Sequence, residues 1–136
     1  MSKRRDILSA VVARVATVSG LVYVGERFRS RYGPDELPAA VITAAESAVG
    51  PGCLGEHEHT MTVEITVMVS GTGALVELDA LTENILAALR GYEIWGGLAD
   101  STEPKNIVIA SELTGDFVAG ANITLDIIYR VPRWNY

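Results

Sequence analysis

The stretch from Glu58 to Gly91 constrains the fold most, because within it the hydrophobic period changes from that of a strand to that of a helix. From Thr60 to Ser70 the residues alternate. Met61, Val63, Ile65, Val67 and Val69 point one way, and Thr60, Thr62, Glu64, Thr66, Met68 and Ser70 point the other. β-Branched side chains dominate both sets, which suits a half-buried pleated surface. Gly71-Thr72-Gly73 breaks the strand. Beyond it Leu75, Leu78, Leu81, Thr82, Ile85, Leu86 and Leu89 recur at helical spacing, with Glu77, Asp79, Glu83, Asn84 and Arg90 turned to water. Gly91 is a natural stop. A sheet face and a helix stripe that are both apolar, and adjacent in sequence, are most economically buried against each other.

The flanking segments extend this unit. Ile7, Leu8, Val11, Val12, Val15 and Val18 form the stripe of a first helix, read from about Arg4 to Ser19 and stopped by Gly20. The basic start of the chain is signal-like, but Arg14 interrupts the apolar stretch, so a structural helix is expected. Leu21–Val24 reads as a short extended segment and Gly25–Glu36 as a polar loop. Pro38 leads into a strand over Ala39–Ala44. Ala45–His57, rich in glycine and without periodicity, reads as a long hairpin loop or a mobile arm. An unbroken strand from Glu58 to Ser70 would span about 43 Å at roughly 3.3 Å per residue, so a bend or a projection is expected. After the second helix, Tyr92–Leu98 is an apolar connection with glycine hinges, and Asp100–Lys105 a polar turn. Asn106–Leu113 reads as a strand broken by Gly115-Asp116 and Gly120, and Asn122–Val131 is the last strand, with Ile123, Leu125, Ile127, Tyr129 and Val131 inward. The expected fold is a single α+β domain over residues 1–136. Two helices pack on one face of a largely antiparallel, or mixed, sheet of about four strands.

Several function classes are disfavoured at this level. The net charge is −6, and it is uneven: residues 1–36 carry seven basic and four acidic side chains, the remainder four basic and thirteen acidic. That balance argues against general affinity for nucleic acid. No run approaches the roughly 18 apolar residues of a membrane span. Cys53 is the only cysteine, so no internal disulfide can form. His57 and His59, two apart on a strand, could share a face and a metal, but with no further histidine they are expected to be solvated. Gly71-x-Gly73 lacks the third glycine of a dinucleotide fingerprint and the lysine of a P-loop. No nucleophile elbow or clustered carboxylate pair is present. No catalytic, cofactor-binding or metal site is therefore expected.

What remains are candidate contact surfaces. Arg27, Arg29 and Arg31 form a cationic loop, either facing an acidic partner or simply solvated. Glu77, Asp79 and Glu83 form an acidic face on the second helix. Trp95, Trp134 and Tyr136 stand outside the periodic patterns and read either as contact anchors or as packing against the domain's own body.

Taken in order, these segments resemble the tail terminator (minor tail protein) family of long-tailed bacteriophages and related gene-transfer particles. The likeness spans nearly the whole chain. It rests on the amphipathic helix Ile7–Val18, the aromatic extended segment with the turn Gly25-Glu26-Arg27, and the Glu36-Leu37-Pro38-Ala39 lead-in to Val41-Ile42. It continues through the glycine-rich loop before Thr60–Ser70, the helix carrying Leu78-Asp79-Ala80, and the closing Leu125-Asp126-Ile127-Ile128-Tyr129. The Arg27–Tyr32 loop and the segment after Pro132 depart from the pattern. The resemblance implies a structural protein assembled in the bacterial host cytoplasm, six copies of which ring the head-proximal end of the virion tail tube. That ring stops tube polymerisation, contacts the tube protein and the head connector or neck protein, and passes DNA through its lumen without sequence readout. Six chains at −6 carry −36, suited to keeping phosphates from adhering. Another neck or tail-completion protein is the alternative, and a small α+β ligand-binding domain or enzyme a remote one. In such a ring the arginine loop would meet the acidic helix of the next copy, and Gly25–Glu36 and Ala45–His57 would be ordered by neighbours.

Overall fold

The computed structural model describes residues 2–27, 37–52, 55–71, 73–114 and 116–135. Helix α1 spans Lys3–Val15 and α2 spans Ala74–Leu89. The strands are β1 (Tyr23–Gly25), β2 (Ala39–Pro51), β3 (Glu56–Ser70), β4 (Ser101–Thr114) and β5 (Asp116–Pro132). They form one sheet of five strands in the order β1-β2-β3-β5-β4, antiparallel throughout except where β1 runs parallel to β2. The architecture is α+β with a mostly antiparallel sheet, and the expected count of about four strands understates it: the described residues form five. The additional strand is three residues long, too short for any periodic signal.

The alternating row of β3 is the floor of the core. Met61, Val63, Ile65, Val67 and Val69 are all fully buried, as are their neighbours Ile42 on β2 and Ile123 and Ile127 on β5. Leu78, Leu81 and Ile85 of α2 and Ile7, Leu8, Val11 and Val15 of α1 close the core from above, as their spacing requires. Leu75, expected in the α2 stripe, is instead exposed. Ala74 takes the buried place one residue earlier, so the stripe is rotated slightly at its first turn. The helix begins after Gly71 and Gly73, which hold φ of 99° and 81°, a left-handed region that side-chain-bearing residues rarely enter. Ser2 caps α1, its hydroxyl oxygen accepting from the Arg5 N–H at 3.1 Å. The helix ends at Val15, earlier than its stripe suggests; a tight turn to Gly20 carries Val18 into the core.

Three further expectations are corrected. Ala45–Pro51 is neither loop nor arm: the β2 backbone continues to Pro51, paired residue by residue with β3 as far as His57, through a bulge between Ala44 and Glu46. Gly50 and Pro51, which hide the end of this segment in the sequence, lie where ladder bonds to one neighbour suffice. The polar run Ser101–Lys105 is the start of β4, paired with β5 from Ile128 to Leu125. Gly120 does not break β5, which runs unbroken from Asp116 to Pro132. β3, at 15 residues, is paired with β5 along its whole length.

Candidate interaction surfaces

The sheet face opposite the helices carries the polar half of each alternation. Thr60, Thr62, Glu64 and Thr66 of β3 lie beside Asp126, Thr124 and Asn122 of β5, all half-buried. The Thr62 hydroxyl donates to Asp126 Oδ1 at 3.1 Å, and Lys105 pairs with Asp126 at 3.5 Å. No described helix covers this side, so a broad, polar surface rich in hydroxyls and carboxylates faces outward.

On the other side, Arg14 joins the two helices. Its Nε–H donates to the Ala88 carbonyl at 2.7 Å, and its guanidinium lies 4.0 Å from the centre of the Tyr92 ring. It thereby satisfies one of the carbonyls that the end of α2 leaves without a helical partner, and its charge suits the negative end of the helix dipole. The interruption that marks Arg14 in the sequence is thus a tertiary contact. At the far end of α1, Arg5 pairs with Glu26, which fixes the Gly25-Glu26-Arg27 turn against the helix. Arg27 is exposed, and its carbonyl accepts from the Tyr23 hydroxyl at 3.2 Å. Arg29 and Arg31 lie outside the described residues, as does Tyr136. Glu77, Asp79 and Glu83 are all solvent-facing on α2, and none is in an ion pair among the described residues.

The two tryptophans have opposite surroundings. Trp95 is only 5% exposed, and its indole N–H donates to Thr102 Oγ1 at 2.8 Å, which in turn donates to the Glu93 carbonyl at 2.7 Å. Of its two expected roles it takes the intramolecular one. Trp134, just beyond β5, is 90% exposed and holds a left-handed φ of 69°. Next to Trp95, a groove of about 270 Å³ runs between the end of α2 and β4, with Leu86, Leu89, Pro104 and Leu125 along it and Arg90 and Glu93 at its rim. Sequence reasoning missed it because its walls come from three separated elements.

His59 corrects the expectation of two solvated histidines. It is buried at the end of the apolar row of β3, in register with Tyr129, with ring centres 5.2 Å apart. Its Nδ1 has no hydrogen-bond partner among the described residues. Burial holds the imidazole below its ordinary pKa of 6.5, and the nearby His57 pushes the same way. The folded chain therefore favours the neutral ring. As the pH falls through 6.5 the unfolded chain takes up a proton that the folded one resists, so this contribution to stability is present above 6.5 and lost below it. The urea midpoint should fall on acidification across that window, and His59→Phe should flatten the fall. Equal pH slopes for the two proteins would rule out His59 as the source.

Among the described residues, no group of three or more histidine, cysteine or acidic side chains is arranged to hold a metal ion, and no helix is long and apolar enough to cross a membrane. Compared with known proteins, the chain matches no protein-family model and no curated protein.

Proposed function

We propose that this chain is a structural virion protein that caps the head-proximal end of a phage tail tube as a ring, most simply a hexamer, halting tube growth and presenting a surface to the head connector. The observation that carries the reading is the order of segments along the chain. An amphipathic helix, a short aromatic strand with a Gly-Glu-Arg turn, a Pro-Ala lead-in, a long alternating strand, a second helix and a closing strand fold into one sheet with both helices on one side. That order of segments is the one on which the family resemblance rests.

The polar sheet face supports the passage of DNA in this proposal. Glu64, Glu103 and Asp126 belong to that face by register. Turned to a lumen, they would repel phosphates and let a duplex slide without adhering. The partners are then other copies of the chain, the tube protein and a connector or neck protein. The acidic α2 face, Arg27 with Arg29 and Arg31, and the exposed Trp134 are the candidate contacts, with exposed charge pairs contributing only about 0–1 kcal/mol each and serving mainly to steer. The protein is not an enzyme in this reading.

The test is assembly. Negative-stain images of tubes grown from the cognate tube protein should show a ring at one end, and a narrow length distribution, when the purified chain is present. Tubes of unchanged length with bare ends would refute the proposal.

A further inference from the structure

Among the described residues the sheet ends in two uncovered backbone edges, and their geometry matches. β4 is the last strand on one side, and among the described residues nothing pairs with its outer edge. On the other side, among the described residues, β1 covers only Ala39–Val41 of β2, so the β2 backbone from Thr43 to Pro51 is likewise uncovered. Natural sheets guard such edges with charge, proline or brevity, because an uncovered edge recruits another strand. β4 is guarded at its beginning by Pro104 and Lys105, but its middle is not. Ile107, Val108 and Ile109 are 42%, 52% and 49% exposed. On the other edge Val49 is 57% exposed.

We infer that a second copy of this chain joins edge to edge, laying its β2 backbone between Thr43 and Pro51 antiparallel along the outer edge of β4. Strand direction supports this partner. β2 opposes β3, β3 opposes β5 and β5 opposes β4, so β2 and β4 run in opposite senses at the two ends of one sheet. A copy placed alongside with its helices on the same side therefore presents β2 in the direction an antiparallel ladder requires. The faces agree as well. Ile107 and Ile109 are in register with the buried Ile123 and Ala121, which puts them on the helix side, and Val49, in register with His59, is on that side too. With Val49 opposite Ile107, the exposed Ala48 falls opposite Val108, so aliphatic meets aliphatic on both faces. The bulge in β2 bends the strand next to this segment, which suits a curved rather than a flat continuation. β4 pairing with its own copy would instead close a two-fold dimer and leave Val49 bare. The head-to-tail contact uses both edges and repeats.

The inference deepens the ring reading and rests on it only for the number of copies. Its test needs no tail tubes. Val49→Cys and Ile107→Cys chains, each also carrying Cys53→Ser and one bearing an affinity tag, are mixed at millimolar concentration and treated with a short bismaleimide. The mixed product should exceed the Ile107→Cys homodimer several-fold, and adding Ile109→Lys to the Ile107→Cys chain should abolish it without lowering the melting temperature. A dominant Ile107→Cys homodimer, no product, or a product indifferent to Ile109→Lys would each overturn the inference. Cross-linking without tube capping would leave the edge contact standing and remove the ring reading; capping by chains that give no mixed product would do the reverse.

Discussion

Trp95→Ala should lower the unfolding free energy by about 3–5 kcal/mol, the range for emptying a buried large aromatic site. The indole is nearly sealed, and it lies in the turn between α2 and β4. Truncation removes its buried area and leaves a void that rigid neighbours close only in part. It also deprives Thr102 of the indole N–H it accepts, although that hydroxyl keeps its bond to the Glu93 carbonyl. Trp95 also holds a left-handed φ of 50°, a conformation that persists only where packing enforces it. Against a net stability of about 5–15 kcal/mol for a domain, the loss is a large fraction. Urea denaturation measures it. Trp95→Phe, which keeps most of the volume and gives up the hydrogen bond, should cost markedly less. A midpoint unmoved by Trp95→Ala would mean that the turn contributes nothing to the fold.

Ile65→Ala should cost about 2–5 kcal/mol. The residue is fully buried at the centre of β3, with Ile42 and Ile123 directly across the two ladders and α2 above. Because both neighbours are held by long ladders, the backbone has little freedom to collapse into the void, which favours the upper part of that range. Glu64→Ala, on the opposite face and half-buried, is the internal comparison and should move the midpoint far less. Equal effects from the two substitutions would overturn the assignment of faces along β3.

The regions legible in the sequence are those where one face is buried and the other is not. Thr60–Ser70, Asn122–Val131 and the α2 stripe from Leu78 onward alternate or recur because each has a core side and a water side. Of β4, the run Asn106–Leu113 is legible as a strand, but its polar beginning, Ser101–Lys105, is not, because it is held by backbone bonds to β5 rather than by a buried face. The end of β2 was hidden by glycine and proline, whose low strand preference is outweighed by an antiparallel partner already in place. The burial of His59 follows from its place in the Met61–Val69 row, extended one step by Tyr129 opposite. A polar residue type obscured a position the periodicity had already marked. Trp95 and the groove beside it had no local signal, because their surroundings are assembled from α2, β4 and β5. The acidic α2 face was readable, since solvent exposure on a helix follows from spacing alone.

The pairing of β3 with β5 has a kinetic consequence. The β2–β3 and β4–β5 hairpins join neighbours in the chain, but the ladder between them joins strands separated by all of α2 and β4. Closing that long a segment uses up chain entropy before any contact rewards it, and folds dominated by such distant pairings form on the order of milliseconds to seconds rather than microseconds. Until the two hairpins dock, the Met61–Val69 row and its β5 counterpart are bare to the surroundings. During that interval a newly made chain is vulnerable to pairing with the wrong strand, and a chaperone would find its binding site there.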